Sequence, residues 1–203
     1  RTYSRRDFLS KSAAGLASVG ILGGTGTVLA STPGKEDKKA IEKTGPLVSR
    51  PLGKTGIELP VVNMGVMNAN NPELVKKSYE LGIRHFDTAA MYQRGRNEEM
   101  LGKALNQMKV RDKSIIATKI YMHTPQREKT TDAEKKKFFL EETDKCLKRL
   151  NTDYVDILYI HNVFTTEYLN NKGIKEALQI LKDKKKIKHI GFTTHKNMTE
   201  CLN

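Results

Sequence analysis

The chain has 203 residues, of which 37% are hydrophobic and 29% are charged, which suits one globular domain with a core of its own. The formal net charge of +13 comes without a nucleic-acid-binding motif, and no apolar stretch of about 20 residues predicts a membrane span. Neither Cys146 nor Cys201 belongs to a metal-binding spacing, so no metal site is predicted, and a single disulfide between them is left open.

The first 30 residues have the order of an export signal. Residues 4–11 read SRRDFLSK, and residues 13–30 form a weakly apolar run rich in Gly, Ala and Ser. This pattern resembles a twin-arginine signal with cleavage near Ala30. We therefore expect residues 1–30 to be a signal peptide and the twin-arginine export machinery to be a partner. The mature protein would then be periplasmic or otherwise exported. The alternative is a basic N-terminus beside a buried helix.

The remaining chain alternates between strand and helix patterns. Residues 31–50 are polar and charged and predict a linker, and residues 51–203 form the folded part. Apolar runs predict strands at 59–65, 84–88, 114–120, 154–160 and 187–192. Helical periodicity between these strands predicts helices at 73–81, 97–108, 138–150 and 174–181. Asn97 is predicted to be the N-cap of the second of these helices, which ends at Met108.

Alternating strands and helices predict a parallel α/β sheet, either open and doubly wound or closed into a barrel. A dinucleotide-binding open sheet should show Gly-x-Gly-x-x-Gly after its first strand, but residues 64–68 read MGVMN. Polar residues instead gather at the strand ends, which favours a (β/α)8 TIM barrel. Because a complete barrel needs about 250 residues, we expect one truncated after about five strands. Because the chain begins at Arg1 and not at Met, we also expect its start to be missing.

Four polar residues are predicted to meet at the carboxyl ends of these strands: Asp87, Tyr92, Lys119 and His161. Lys119 ends an apolar strand, where a lysine is costly to bury unless it is paired, and Asp87 one strand away is the natural partner. A purely structural ion pair is the alternative for these two residues.

Tyr92 and His161 favour the catalytic interpretation. A free tyrosine is a weak acid at neutral pH, but an adjacent ammonium such as that of Lys119 stabilises the phenolate and helps Tyr92 to act as a general acid. His161 could polarise the same substrate oxygen. These roles suit reduction of a small-molecule carbonyl, and the hydride must come from a nicotinamide cofactor because no side chain can donate it.

Several motifs together are similar to those of the aldo-keto reductase family. They are residues 52–56 (LGKTG), 82–89 (GIRHFDTA), 97–105 (NEEMLGKAL) and 153–157 (DYVDI). The resemblance implies a (β/α) barrel that reduces an aldehyde or ketone to an alcohol with NADPH, or alternatively NADH. It also implies a catalytic tetrad of Asp87, Tyr92, Lys119 and His161. Cofactor contacts are expected from Gly65, Asp87, Thr193 and Thr194.

Three departures from the family pattern stand out. Gln93 occupies a position that is often Gly, which is expected to alter the loop over the substrate. Residues 123–137 form a long basic link, expected to be a solvated loop or part of the substrate wall. Thr194 replaces an Asn and cannot supply an amide's donor and acceptor pair.

Two other functional hypotheses remain open on the sequence. One is a non-catalytic half-barrel remnant or interaction protein. The other is a different barrel enzyme, such as a lyase that forms a Schiff base at Lys119. We also expect residues 31–203 alone to bind NADPH weakly, because the missing strands would carry much of the cofactor site.

Overall fold

The computed structural model describes residues 47–202. The predicted signal peptide and most of the predicted linker lie outside these residues, although the linker's last two residues, Ser49 and Arg50, belong to a strand. A short antiparallel hairpin comes first, followed by a parallel sheet whose five strands follow chain order. The strands are β1 (Ser49–Pro51), β2 (Glu58–Pro60), β3 (Met64–Gly65), β4 (His85–Asp87), β5 (Ile115–Ile120), β6 (Val155–Ile160) and β7 (Ile187–Phe192).

A helical segment follows each strand of the parallel sheet. The helices are α1 (Pro72–Glu80), α2 (Arg96–Gln107), α3 (Thr124–Lys129), α4 (Asp132–Leu150), α5 (Thr166–Leu169), α6 (Lys172–Asp183) and α7 (Met198–Leu202). All neighbouring strands from β3 to β7 are parallel, in the unbroken order β3-β4-β5-β6-β7. This is the repeat of a (β/α) barrel, here with five of its eight strands, and it confirms the predicted fold class.

The core lies between the sheet and its helices. Phe86, Ile116 and Leu158, one from each of three neighbouring strands, are fully buried with apolar helix residues such as Leu101 and Phe139. Successive strand residues point to opposite faces, so the residues on either side of these three point to the other face. Polar side chains such as Asp87 and Lys119 are therefore directed into the barrel interior.

Three predicted element boundaries are wrong, and one of them is the start of the helix predicted at 138–150, which begins at Asp132. The predicted first strand, residues 59–65, is split between hairpin strand β2 and barrel strand β3, because only Met64 and Gly65 reach the parallel partner β4. Asn97 is not an N-cap: helix α2 starts at Arg96 after Gly95, which has a φ of 89°. The Asn97 side chain is instead buried and bonds to the backbone of neighbouring loops.

The link at residues 123–137 is not a solvated loop. It contains all of α3 and the first turn of α4, which begins at Asp132. Thr131 and Glu134 form a capping box that fixes this start. The Thr131 hydroxyl accepts a hydrogen bond from the Glu134 N–H, and the Glu134 carboxylate accepts one from the Thr131 N–H. The basic residues of the link are not all solvated, because Arg127 is only 8% exposed.

The close backbone packing of helices α2 and α4 depends on glycine at position 102. A Cβ at Gly102 of α2 would lie 2.2 Å from the carbonyl oxygen of Leu150, the last residue of α4.

Cys146 and Cys201 are both buried, free thiols. Within residues 47–202, no helix is long and apolar enough to cross a membrane, and no cluster of His, Cys, Asp and Glu could hold a metal ion.

Candidate active site

The carboxyl ends of β4, β5 and β6 bring three predicted site residues to one rim of the sheet. Asp87 ends β4, Lys119 is the penultimate residue of β5, and His161 directly follows β6. The parallel register pairs Asp87 with Ala117 and Lys119 with Tyr159, so these ends lie at similar heights. The sheet therefore gathers residues that are far apart in sequence.

Lys119 and Asp87 form an ion pair inside the barrel. The Lys119 ammonium also donates a hydrogen bond to the backbone carbonyl of Thr88 at 2.8 Å. The lysine side chain is 7% exposed and the aspartate side chain 28% exposed. A buried ammonium thus has two oxygen partners, which offset part of the cost of removing it from water.

Tyr92 lies next to this pair. The Lys119 Nζ is 5.0 Å from the centroid of the Tyr92 ring. The Tyr92 ring also meets the His161 ring edge to face, with centroids 6.1 Å apart and planes at 85°. The structure thus brings all four predicted catalytic residues together. Among residues 47–202, the hydrogen bonds of the Lys119 ammonium go to Asp87 and Thr88 and not to the Tyr92 hydroxyl.

His161 is held in its neutral form by its surroundings. Burial, followed by the positive charge of Lys119, lowers the pKa of His161 from 6.5 to about 4. Its Nδ1 is buried and finds no hydrogen-bond partner in the described part of the chain. At neutral pH the imidazole therefore carries one N–H donor and no charge.

An unusual turn presents Tyr92. Three consecutive residues after it, Gln93, Arg94 and Gly95, have positive φ angles of 49°, 58° and 89°. The Gln93 side chain donates a hydrogen bond to the Met67 carbonyl at 3.2 Å. Gln93 therefore ties the loop after β4 to the loop after β3, a contact that a glycine at this position could not make.

Two residues at the start of α2, Asn97 and Glu98, form hydrogen bonds with the strands and loops that carry the rim residues. Asn97 accepts a hydrogen bond from Thr88 and donates to the carbonyls of Val66 and Ala69. It thereby connects the loops after β3 and β4.

Glu98 is fully buried next to Lys119's strand. It accepts hydrogen bonds from the Thr118 hydroxyl and the Arg149 guanidinium, both at 2.6 Å. The sequence alone does not predict this pair, because nothing in the local pattern around Glu98 indicates a distant arginine partner.

The predicted cofactor residues lie along the same rim. Gly65 ends β3 opposite Asp87, and an added Cβ there would meet nothing within 4 Å. Thr193 directly follows β7, and its hydroxyl accepts a hydrogen bond from the Asn162 backbone N–H at 3.0 Å. The Thr194 hydroxyl bonds instead to the backbone of Lys196 in a local turn.

Three further residues at or near the site were not assigned a role from the sequence. Asn162 has a φ of 61° and a buried side-chain oxygen that is unpartnered within residues 47–202. His85 is 7% exposed, and both of its ring nitrogens lack partners there as well; burial is the main reason that its pKa is lowered. Arg127 lies on the link after β5. Only Asn162 had a sequence signal, because it directly follows His161 at the end of a strand.

Comparison with known proteins points to one family. The model of the aldo/keto reductase family matches residues 64–201. L-galactose dehydrogenase of Arabidopsis thaliana is 32% identical over 157 residues, which cover 71% of this chain and 47% of that protein. L-glyceraldehyde 3-phosphate reductase of Escherichia coli is 34% identical over 135 residues, which cover 60% of this chain and 38% of that protein.

A solved structure gives the same result for the fold. The holo form of an aldo-keto reductase from Bacillus halodurans superposes with a TM-score of 0.62 and 26% identity, covering 73% of this chain and 51% of that one. The chain spans about half the length of the relatives that it matches, for example 48%, 47% and 45% of three of them. A family match over residues 64–201, which include every strand of the parallel sheet and all four residues at its rim, means that this chain belongs to the aldo/keto reductase family.

Proposed function

We propose that the protein reduces an aldehyde or ketone to an alcohol with NADPH, using Tyr92, Lys119, Asp87 and His161. The observation that carries this proposal is the contact series from the Asp87–Lys119 ion pair to the Tyr92 ring and on to His161. Family membership supports the oxidoreductase activity, and the residue roles and the choice of NADPH over NADH are further parts of the proposal.

The substrate oxygen would be held between Tyr92 and His161. As that oxygen gains negative charge, the Tyr92 hydroxyl donates a proton to it. The ammonium of Lys119 stabilises the phenolate that is left, and Asp87 keeps the ammonium in place. His161 is neutral because its pKa is lowered to about 4, so its N–H donates a hydrogen bond to the oxygen without competing as an acid.

The rim also offers a fitting donor and acceptor for the cofactor. When bound, the nicotinamide would supply the hydride that no side chain can provide. Its carboxamide needs an acceptor for its NH₂ and a donor for its oxygen. The buried Asn162 side-chain oxygen, which has no hydrogen-bond partner within residues 47–202, would accept from the NH₂. The Thr193 hydroxyl, whose proton is not used by its bond to Asn162, would donate to the carboxamide oxygen. We include Asp87, Gly65 and Thr194 in the proposed cofactor site, with Thr194 limited to backbone contacts by its local turn.

The test is NADPH consumption by the full-length protein with a panel of aldehydes and ketones. Tyr92→Phe should lower kcat by about 10²-fold or more with the thermal unfolding midpoint unchanged. Tyr79→Phe, on helix α1, is the matched control and should keep wild-type kcat. Absence of any carbonyl reduction across the panel would favour the non-catalytic interaction protein. Borohydride trapping of substrate on Lys119 would favour the Schiff-base lyase.

We further propose that residues 1–30 direct export by the twin-arginine route, as the order of residues 4–11 suggests. The test is cell fractionation of the full-length protein in a bacterium that has this machinery. Paired Arg5→Lys and Arg6→Lys changes should leave the protein in the cytoplasm, and Lys11→Arg should not. Export that is unaffected by the paired changes would refute the proposal.

A further inference from the structure

We infer that Arg127 is a positioning residue that holds the His161 turn in its working geometry. This inference rests on the function proposed above, in which His161 contacts the substrate oxygen. Arg127 lies on α3, in the link after β5, and is only 8% exposed.

The Arg127 guanidinium bonds to the backbone at the ends of two neighbouring strands. Its Nε donates to the Met122 carbonyl at 2.5 Å, just after β5. Its two terminal nitrogens donate to the carbonyls of Asn162 at 3.0 Å and His161 at 3.2 Å, just after β6. The planar guanidinium offers donors in a fixed fork, so three bonds of this kind fix the His161 turn relative to β5.

A second contact route leads to the His161 ring itself. The guanidinium carbon lies 4.2 Å from the Tyr168 ring centroid and 5.0 Å from that of Tyr121. The Tyr121 ring meets the His161 ring edge to face, with centroids 5.9 Å apart. Arg127 therefore supports His161 both through its backbone and through the aromatic ring beside it.

Asn162 shows why the turn needs this support. Its φ of 61° lies in the left-handed region, which costs a non-glycine residue conformational energy. The backbone carbonyl of Asn162 is one of the three carbonyls that accept hydrogen bonds from Arg127. Removing the guanidinium fork would leave buried carbonyls unpaired and let the turn relax.

Arg111 provides a matched control at the opposite end of the sheet. It is a partly buried arginine that donates to the carbonyls of Ser114 and Tyr154 and stacks on the Tyr154 ring at 4.0 Å. Arg111 also pairs with Asp156 at 3.0 Å, whereas no salt bridge forms at Arg127 within residues 47–202. The two arginines thus tie strand ends in similar ways, one at the proposed site and one far from it.

The experiment compares Arg127→Lys with Arg111→Lys in the full-length protein. Lysine keeps the positive charge but loses the fork, so the comparison tests geometry and not charge. Arg127→Lys should lower kcat roughly tenfold or more and should also raise KM for NADPH, because the same turn carries Asn162 of the proposed cofactor site. Arg111→Lys should lower the thermal unfolding midpoint without lowering kcat. Equal kcat losses in both variants, or none in either, would overturn the inference.

A second readout requires no turnover. NMR titration of the His161 imidazole should show a pKa closer to its ordinary value in Arg127→Lys, because a loosened turn admits water, and no change in Arg111→Lys. An unchanged His161 titration and unchanged amide signals of the turn in Arg127→Lys would overturn the inference. A wild-type protein without reductase activity would refute the proposed function alone, because the titration still tests whether Arg127 holds the turn.

Discussion

The Lys119 ammonium forms an ion pair with Asp87 from the neighbouring strand and also bonds to the Thr88 carbonyl, so its positive charge is fixed beside the Tyr92 ring. Such a pair could be structural, catalytic or both. The two possibilities differ in what happens when the pair is removed.

A double-mutant cycle on Lys119→Met and Asp87→Asn distinguishes them. Because the two groups are in direct contact and Lys119 is buried, we expect a coupling energy on the order of 1–3 kcal/mol in urea unfolding. We also expect Lys119→Met to lower kcat by about 10²-fold or more, because the charge that stabilises a Tyr92 phenolate is lost. A loss of stability with an unchanged kcat would mean that the pair is only structural.

The lowered pKa of His161 predicts acid sensitivity of the fold. In the unfolded chain the imidazole takes up its proton near pH 6.5, but in the folded protein only near pH 4. The unfolded state therefore binds more protons in this window, so the free energy of unfolding falls as pH decreases from 6.5 to 4. The loss should be on the order of 2–3 kcal/mol.

His161→Asn, which cannot titrate, should remove the His161 contribution when urea unfolding is repeated at each pH, and leave the part due to His85, whose pKa is also lowered by burial. Tyr79→Phe, on helix α1 and away from the rim, is the control and should leave the slope as in the wild type. A His161→Asn protein with the full wild-type slope would contradict the assignment.

The buried Glu98 carboxylate predicts a stability defect when its arginine partner is removed. Arg149→Met removes the one charged hydrogen-bond donor that Glu98 has within residues 47–202, and the fully buried carboxylate keeps the bond from the Thr118 hydroxyl. We expect a loss of about 3–5 kcal/mol in the free energy of unfolding. Lys145→Met on the same helix breaks an exposed pair with Glu142 and should change stability little. Equal effects of the two changes would refute this account of Glu98.

Gly102→Ala is expected to destabilise the protein, although alanine has the higher helix propensity. Alanine would place a Cβ 2.2 Å from the Leu150 carbonyl oxygen, so α2 and α4 would have to separate. We expect Gly102→Ala to cost about 1–3 kcal/mol by overpacking, although helix propensity alone favours alanine. Lys103→Ala, the next and exposed position, should not destabilise the protein in the same thermal melts. A stable Gly102→Ala protein would show that the helices adjust freely.

Much of the fold could be predicted because strand and helix periods are local. The runs at β5 and β6 are buried strands rich in apolar residues, whereas β7 is partly exposed and contains Lys188 and His189. The bounds of all three strands differ from the predicted ones by one residue or less. The short strand β3 was missed as a separate element because two residues carry no period. Helix α3 was missed because its residues are almost all polar.

The sequence alone determined that Asp87, Lys119 and His161 would follow neighbouring parallel strands, because residue type and strand order are both written along the chain. Only the tertiary structure decided which groups touch: Arg149 reaches Glu98 from 51 positions away, and Arg127 reaches the carbonyl of His161 from 34 positions away. Arginine side chains pair with whatever acceptor the packed backbone presents, and that acceptor leaves no periodic signal in the sequence.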